Sequence, residues 1–265
     1  MSRFRFLVSM ALSAAAGTAF ADVSVTTQTS GKASFINVGG EGVTRIKGNR
    51  QRTDQALGKK SQSLIIDIDG RRWIDIDDGK KSARVTPLDS IADELQKAGV
   101  GTLDATLSKT SQTKTIAGFP CTVHDLRVSM PFSPTGNSGD GMDLTMVMTG
   151  TACLSTNVPG LADYQAFYRA AADSGFIFGD PRSAKSPTGA AQAKAYAALT
   201  RKMADAGMAL ETRIHITAEG TSPMAGMFSR VAKGDITAMV TGVQTGDLPA
   251  DAFDVPQGYK VKTDK

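Results

Sequence analysis

The chain is poor in the residues from which most active sites are built. Its 265 residues include two histidines, two cysteines and one tryptophan. It contains no G-x-S-x-G elbow, no H-E-x-x-H zinc motif, no P-loop and no dinucleotide-binding glycine motif after a strand. These absences exclude the common serine hydrolases, zinc proteases, P-loop NTPases and Rossmann dehydrogenases. We therefore expect a protein that is not an enzyme and that uses no cofactor.

Long hydrophobic runs are absent after the first 21 residues. Those 21 residues have the pattern of a secretory signal peptide: Arg3 and Arg5 precede an apolar run over 6–16, and the small residues at 19–21 suit cleavage. No later segment approaches the roughly 20 apolar residues that a transmembrane helix needs. We expect a periplasmic or secreted protein, cleaved near Ala21, with no transmembrane segment.

Excess positive charge is also small. The net charge of +4 falls to about +2 when Arg3 and Arg5 leave with the signal peptide. Nucleic-acid binding needs clustered excess cations, so we expect no nucleic-acid partner. A local excess remains, because residues 41–84 hold 11 Lys/Arg and 7 Asp/Glu. These charges indicate either solvated strand faces or a site for an anionic partner such as a lipid headgroup.

The two cysteines, Cys121 and Cys153, favour a disulfide bond in an exported chain. Closing a loop of about 30 residues contributes on the order of 3 to 4 kcal/mol in the chain-entropy model. His124 follows Cys121 at a spacing of three, so on a strand the two side chains point to opposite faces. A buried free thiol and a catalytic or metal-binding role are the less favoured alternatives. Because side chains alternate between the two faces of a strand, we expect His124 and His215 to be exposed on polar strand faces.

Alternating apolar and polar residues predict antiparallel strands over most of 23–88. The clearest part alternates Leu64, Ile66 and Ile68, with turns at Asp69-Gly70 and Asp78-Gly79. Strand patterns return over 103–116, 122–130, 142–151, 210–217 and 235–246.

Helical periodicity interrupts the strands at three main places. We predict helices over 89–98, 159–173 and 188–206, and a short helix beginning at Ser222. The strand pattern resumes directly after 206, so 159–206 is a helical insertion and residues 22–265 form a single domain.

Methionine is the unusual component, with nine outside the signal segment. Met142, Met146 and Met148 share one side of a strand. They indicate core packing, an adaptable pocket for a greasy ligand, or soft ligands for copper(I). We name no metal site. The candidate pocket residues are Met142, Leu144, Met146, Met148, Phe167, Tyr196, Met203, Met224, Met227 and Phe228.

Three segments carry a resemblance to a known family: "TIAGFPCTVHDL", "TACLSTNVPGLADYQAF" and "LPADAFDVPQGYKV". They resemble an uncharacterised family of exported bacterial proteins with G-[FY]-x-C and F-x-V-P-x-G-Y signatures. That family is loosely similar to the lipoprotein carriers LolA and LolB. The resemblance implies that Cys121 and Cys153 pair and that Phe253, Pro256, Gly258 and Tyr259 form a terminal structural motif. It implies no catalytic residue.

We therefore predict an α+β fold: a strongly curved antiparallel sheet, a LolA-like half-barrel of about nine to eleven strands, with helices on its concave side. The leading hypothesis is a periplasmic, non-enzymatic protein that binds a hydrophobic ligand, a lipid or an acylated protein, between sheet and helices. The alternatives are a structural or interaction protein of the cell envelope without a cavity, and a methionine-based metal-binding stress protein.

Overall fold

The structure is a computed structural model that describes residues 22–33, 36–57, 60–89, 104–131, 144–174, 182, 187–220 and 233–264. The predicted signal peptide, all but the first residue of the predicted helix 89–98, and the predicted short helix from Ser222 lie outside these residues. Within them, no helix has an apolar stretch long enough to cross a bilayer.

Twelve strands form one sheet in the described part of the chain. Its order is β12-β6-β5-β4-β3-β2-β1-β11-β10-β9-β8-β7. All neighbours are antiparallel except β12, which runs parallel to β6. The strands are β1 (Val23–Ala33), β2 (Ile36–Lys47), β3 (Arg50–Leu57), β4 (Lys60–Asp67), β5 (Arg72–Asp77), β6 (Ser82–Pro87), β7 (Asp104–Ile116), β8 (Phe119–Pro131), β9 (Leu144–Ser155), β10 (Met208–Gly220), β11 (Gly234–Thr245) and β12 (Lys260–Thr263).

The predicted fold class, an open curved antiparallel sheet with helices packed on it, is confirmed. The expected nine to eleven strands were too few. The sequence predicts no strand after residue 246, yet the last residues of the chain pair with β6 as β12. This strand has four residues, all of them on the exposed surface, so no alternation of apolar residues marks it in the sequence.

Aspartates close the turns of the first meander. The backbone N–H of Gly70 donates to Asp67 Oδ1 at 2.7 Å, and that of Lys80 donates to Asp77 Oδ1 at 3.0 Å. A short aspartate side chain replaces a backbone acceptor at this spacing. The predicted turns at Asp69-Gly70 and Asp78-Gly79 are thereby confirmed.

Two α-helices lie between β9 and β10: α1 (Leu161–Asp173) and α2 (Pro187–Ala206). They confirm the helices predicted over 159–173 and 188–206. Polar contacts join them, because Gln165 Nε2 donates to the Ala204 carbonyl at 2.6 Å and Arg169 pairs with Asp205 at 2.6 Å.

Both helices cover the same face of the sheet. Ala238 of β11, Thr212 of β10 and Ala152 of β9 are neighbours in the register, so their side chains point to one face. Ala238 lies beside α1 at one end of this row, and Ala152 packs in the core with α2 at the other. Phe167 of α1 is fully buried against this face.

The C-terminal segment crosses the opposite face of the first strands. Val255 and Tyr259 pack on buried side chains of β4 to β6, among them Ile74. The Arg50 guanidinium lies 5.3 Å from the centre of the Phe253 ring, and the Tyr259 hydroxyl donates to Asp78 Oδ1 at 3.0 Å. The terminal motif implied by the family resemblance therefore acts as a strap that leads to β12.

Candidate functional site

A hollow of about 170 Å³ lies between α1 and the sheet. Its floor comes from strands β2, β1, β11 and β10, and its roof from two tyrosines of α1. The lining residues are Val25, Thr27, Thr44, Tyr164, Tyr168, Ala209, Leu210, Thr212, Ala238 and Val240. Aliphatic and aromatic groups dominate, with threonine hydroxyls interspersed.

The rings of the roof tyrosines, Tyr164 and Tyr168, are in contact, with their centres 4.4 Å apart and their planes tilted by 47°. Burial raises the pKa of Tyr164 to about 12, although a hydrogen bond with the backbone of Ala209 acts in the opposite direction. Burial likewise holds the pKa of Tyr168 well above its ordinary value, against a hydrogen bond from Gln51. Both phenols are therefore neutral in the physiological range and offer apolar ring faces.

A polar network borders the hollow at β2 and β3. Gln51 Nε2 donates to Thr53 Oγ1 at 3.0 Å, and the hydroxyls of Thr53 and Thr44 are 3.0 Å apart. Gln51 is 6 % exposed, and its Oε1 has no hydrogen-bond partner in the described part of the chain. A buried acceptor without a donor is costly.

A second, larger cavity is an open groove of about 800 Å³ over β3 to β6 and β12. Most of its lining residues are polar or charged, and Arg182 is one of them. The lining residues are Thr53, Gln55, Gln62, Ser63, Leu64, Asp75, Ile76, Asp77, Lys80, Ser82, Ala83, Arg84, Arg182, Lys260, Val261 and Lys262.

A third cavity of about 440 Å³ lies near the C-terminal end of α2, beside His124 and Ala206. His124 Nδ1 is 2.9 Å from the Thr122 carbonyl, so this nitrogen carries the proton and donates. The expectation that His124 is exposed is wrong, since the residue is 8 % exposed. Its strand face is the one covered by α2, which the local pattern does not reveal. His215 is exposed as expected and pairs with Asp235 at 2.7 Å.

The predicted pocket residues lie elsewhere. Met146, Met148, Tyr196 and Met203 belong to the core between α2 and strands β7 to β10, where the Tyr196 hydroxyl is 3.7 Å from Met148 Sδ. Phe167 belongs to the core under α1. Among the described candidates, none lines any of the three cavities. Their role in ligand binding stays a prediction.

For the remaining candidate pocket residues, the structure gives no side-chain contacts. Leu144 is the first residue of β9 and pairs with Gly220. Met142, Met224, Met227 and Phe228 lie outside the described residues.

The residues that do line the hollow were marked in part by the sequence. The stripe "LADYQAFYRA" places Tyr164 and Tyr168 beside Phe167 on one side of a helix. The sequence analysis instead favoured the methionines as pocket residues, because their side chains are flexible. For the 800 Å³ groove, the only indication in the sequence was the excess of Lys and Arg over residues 41–84.

The predicted disulfide is confirmed. Cys121 and Cys153 are bonded, with their Cα atoms 5.4 Å apart. Within the described residues, no three His, Cys, Asp or Glu side chains converge as a metal site would require.

Several solved structures have a similar overall architecture. An uncharacterized conserved protein from Thermus thermophilus matches with a TM-score of 0.38 and 8 % identity, over 93 % of this chain and 92 % of that one. A putative outer membrane lipoprotein-sorting protein domain from Vibrio parahaemolyticus matches at 0.31 and 8 %, over 89 % and 91 %. A LolA superfamily protein from Nitrosomonas europaea matches at 0.29 and 9 %, over 89 % and 90 %.

The loose similarity to LolA-like structures expected from the sequence is thus found. At these identities and TM-scores it is a likeness of general architecture and carries no information about ligands. No protein-family model matches the sequence, and no curated protein is similar to it.

Proposed function

We propose that the protein is an exported, non-enzymatic binding protein that holds the apolar part of a lipid or an acylated protein between α1 and the sheet. The observation that carries this proposal is the hollow beneath Tyr164 and Tyr168. It lies between helix and sheet, and apolar side chains of three strands and the aromatic rings of one helix converge on it.

The chemistry of the lining supports a hydrophobic ligand. Val25 and Val240 are nearly fully buried yet border empty space, so an apolar group placed there would gain contacts that the protein alone does not supply. Pockets for drug-sized ligands measure roughly 300 to 1,000 Å³. At about 170 Å³ the hollow suits one short apolar segment and not a whole lipid.

The disulfide supports the exported location. Structural disulfides persist in oxidising compartments such as the periplasm and are rare in the cytosol. The bond between Cys121 and Cys153 agrees in this respect with the signal-peptide pattern of residues 1–21.

A variant that fills the hollow tests the proposal. Ala238 lines the hollow, so Ala238→Leu places an isobutyl group where the ligand's apolar part would lie. Ala56→Leu, at an exposed position of β3, is the matched control. Native mass spectrometry of protein purified without detergent reports co-purified lipid, and displacement of a fluorescent fatty acid reports affinity.

We expect bound lipid and fatty-acid affinity in the unaltered protein and in Ala56→Leu, and loss of both in Ala238→Leu. Absence of lipid and of probe binding in the unaltered protein would overturn the proposal. That result would favour a structural or interaction role.

A further inference from the structure

The hollow and the groove lie along one line of cross-strand neighbours. The register pairs Val25 with Thr44 and Thr44 with Thr53. It continues from Thr53 through the adjacent strands, in order, to Leu64, Asp75, Arg84 and Lys262. Cross-strand partners point to the same face, so this row runs from the apolar hollow to the cationic edge. Six strand spacings amount to about 29 Å.

The Thr44–Thr53 hydrogen bond marks the boundary between the two cavities. Thr44 lines the hollow, Thr53 lines the groove, and their hydroxyls are 3.0 Å apart. The buried Gln51 Oε1, which has no partner among the described residues, lies on the same strand as Thr53. A ligand that extends from the hollow into the groove therefore changes from apolar to polar surroundings at this pair.

Most cations of the groove are paired with carboxylates. Lys80 pairs with Asp77 at 2.8 Å and Arg182 pairs with Asp75 at 3.5 Å. Arg84 pairs with Asp264 at 2.8 Å.

The two lysines of β12, Lys260 and Lys262, have no acidic partner among the described residues. Lys262 lies directly beside Arg84 in the register, and Asp264 already balances the charge of Arg84. A bound anion would supply the two lysines with the acidic partner that the described residues do not provide.

We infer that the ligand is an amphiphile with an anionic phosphate headgroup. The end of its apolar part occupies the hollow beneath α1, and its headgroup lies in the groove near Lys260 and Lys262. This inference rests on the proposed function and adds the ligand class and a second subsite. The groove holds the bulky polar part that the hollow is too small to admit.

Matched lysolipids test the inference. Lysophosphatidylglycerol and lysophosphatidylcholine with the same acyl chain, below their micelle concentrations, differ in headgroup charge. Calorimetry gives each affinity. Trp73, the only tryptophan, reports the groove by fluorescence, because its Nε1 donates to the groove residue Asp75 at 3.1 Å.

We expect the anionic lysolipid to bind roughly ten-fold more tightly, since each lysine near an anionic headgroup adds a modest, screened attraction. The double variant Lys260→Gln/Lys262→Gln should abolish this preference. Both lysines are exposed, so the fold should tolerate the change. Lys32→Gln/Lys233→Gln removes the same charge from exposed positions outside the groove and should keep the preference.

Ala238→Leu separates the two proposals. If it weakens both lysolipids, and the β12 double variant removes only the charge preference, both proposals are supported. Three results would each overturn the headgroup assignment and leave the apolar site standing. The two lysolipids could bind with equal affinity, or the preference could be unchanged in Lys260→Gln/Lys262→Gln. Binding could also leave the Trp73 fluorescence unchanged. Glycerol 3-phosphate binding as tightly as the lysolipid would show a free-phosphate site and overturn the joined site. If neither lysolipid binds while the fluorescent fatty acid does, the headgroup assignment is overturned. If the fatty acid also fails to bind and no lipid co-purifies, the proposed function itself is overturned.

Discussion

Lys114 of β7 forms an ion pair with Glu211 of β10, although two strands lie between β7 and β10 in the sheet. The Glu211 side chain is 5 % exposed. The intervening strands β8 and β9 are joined by the disulfide, and β7 also comes within 8 Å of β11, measured between Cα atoms. The tip of the β7–β8 hairpin therefore folds over the sheet, and the ion pair and the disulfide are two separate attachments that hold it there.

Removing the lysine should destabilise the fold in a pH-dependent way. Burial by itself raises the pKa of Glu211, but hydrogen bonds from Lys114 and Arg213 outweigh burial and lower this pKa below its ordinary 4.5. A depressed pKa in the folded state contributes stability above the unfolded value, and this contribution is lost as the pH falls through the folded value.

We expect Lys114→Gln to lower the free energy of unfolding at pH 7 by roughly 1 to 3 kcal/mol and to reduce the loss of stability between about pH 5 and 3. Urea titrations at several pH values measure both effects. Lys109→Gln, an exposed lysine on the same strand, should change neither. An unaltered acid dependence in Lys114→Gln would contradict the role given to the ion pair.

Removal of the disulfide should lower the free energy of unfolding by more than the loss of Lys114 does. Cys121 and Cys153 are 32 residues apart in sequence, and the chain-entropy model gives about 3 to 4 kcal/mol for a loop of this length. We expect Cys121→Ser/Cys153→Ser to lower the free energy of unfolding by this amount in urea, and reduction of the unaltered protein to have the same effect. Rapid alkylation of both cysteines in the native protein would show that the bond does not form.

The turn before α1 requires a glycine for two reasons that can be measured separately. Gly160 has a φ of +71°, and a Cβ there would lie 2.8 Å from the Cβ of Val23. Gly118 has a φ of +85°, but a Cβ there would meet nothing within 4 Å. Gly118→Ala therefore tests backbone strain alone, at roughly 1 to 2 kcal/mol.

We expect Gly160→Ala to lose about 1 to 3 kcal/mol more than Gly118→Ala, because the methyl group collides with the core. Thermal unfolding followed by circular dichroism compares the two variants. Equal losses would show that Val23 moves aside without cost.

The C-terminal strap depends on a single buried ring. Phe253 is 3 % exposed, whereas Val261, in the same segment, is 57 % exposed. Truncating a buried phenylalanine costs about 3 to 5 kcal/mol, so Phe253→Ala should lower the urea midpoint strongly and Val261→Ala hardly at all. Limited proteolysis should then release the segment after Asp247 in Phe253→Ala. A strap that stays protected in this variant would mean that Tyr259 and β12 hold it without the ring.

Local patterns predicted most of the elements. The Asp-Gly turns and the helical stripe of α1 are properties of neighbouring residues, and both recur in the structure at the expected place. The alternation of Leu64 and Ile66 recurs in β4, but Ile68 lies in the turn after the strand and Ile65 is buried on the opposite face. The exposure of His124 was predicted wrongly, because its face is covered by α2, a helix more than 60 positions later in the chain.

The sequence alone determined the strand and helix periods and the pairing of the only two cysteines of the chain. Strand and helix periods depend on side-chain direction within a few residues, and this is local. Tertiary structure alone decided that Val25 and Lys262 belong to one row, that Tyr164 and Tyr168 cover an unfilled hollow, and that Met146, Met148 and Met203 fill a core elsewhere. Strand order, register and the position of the helices arise from contacts between distant segments, and no local period encodes them.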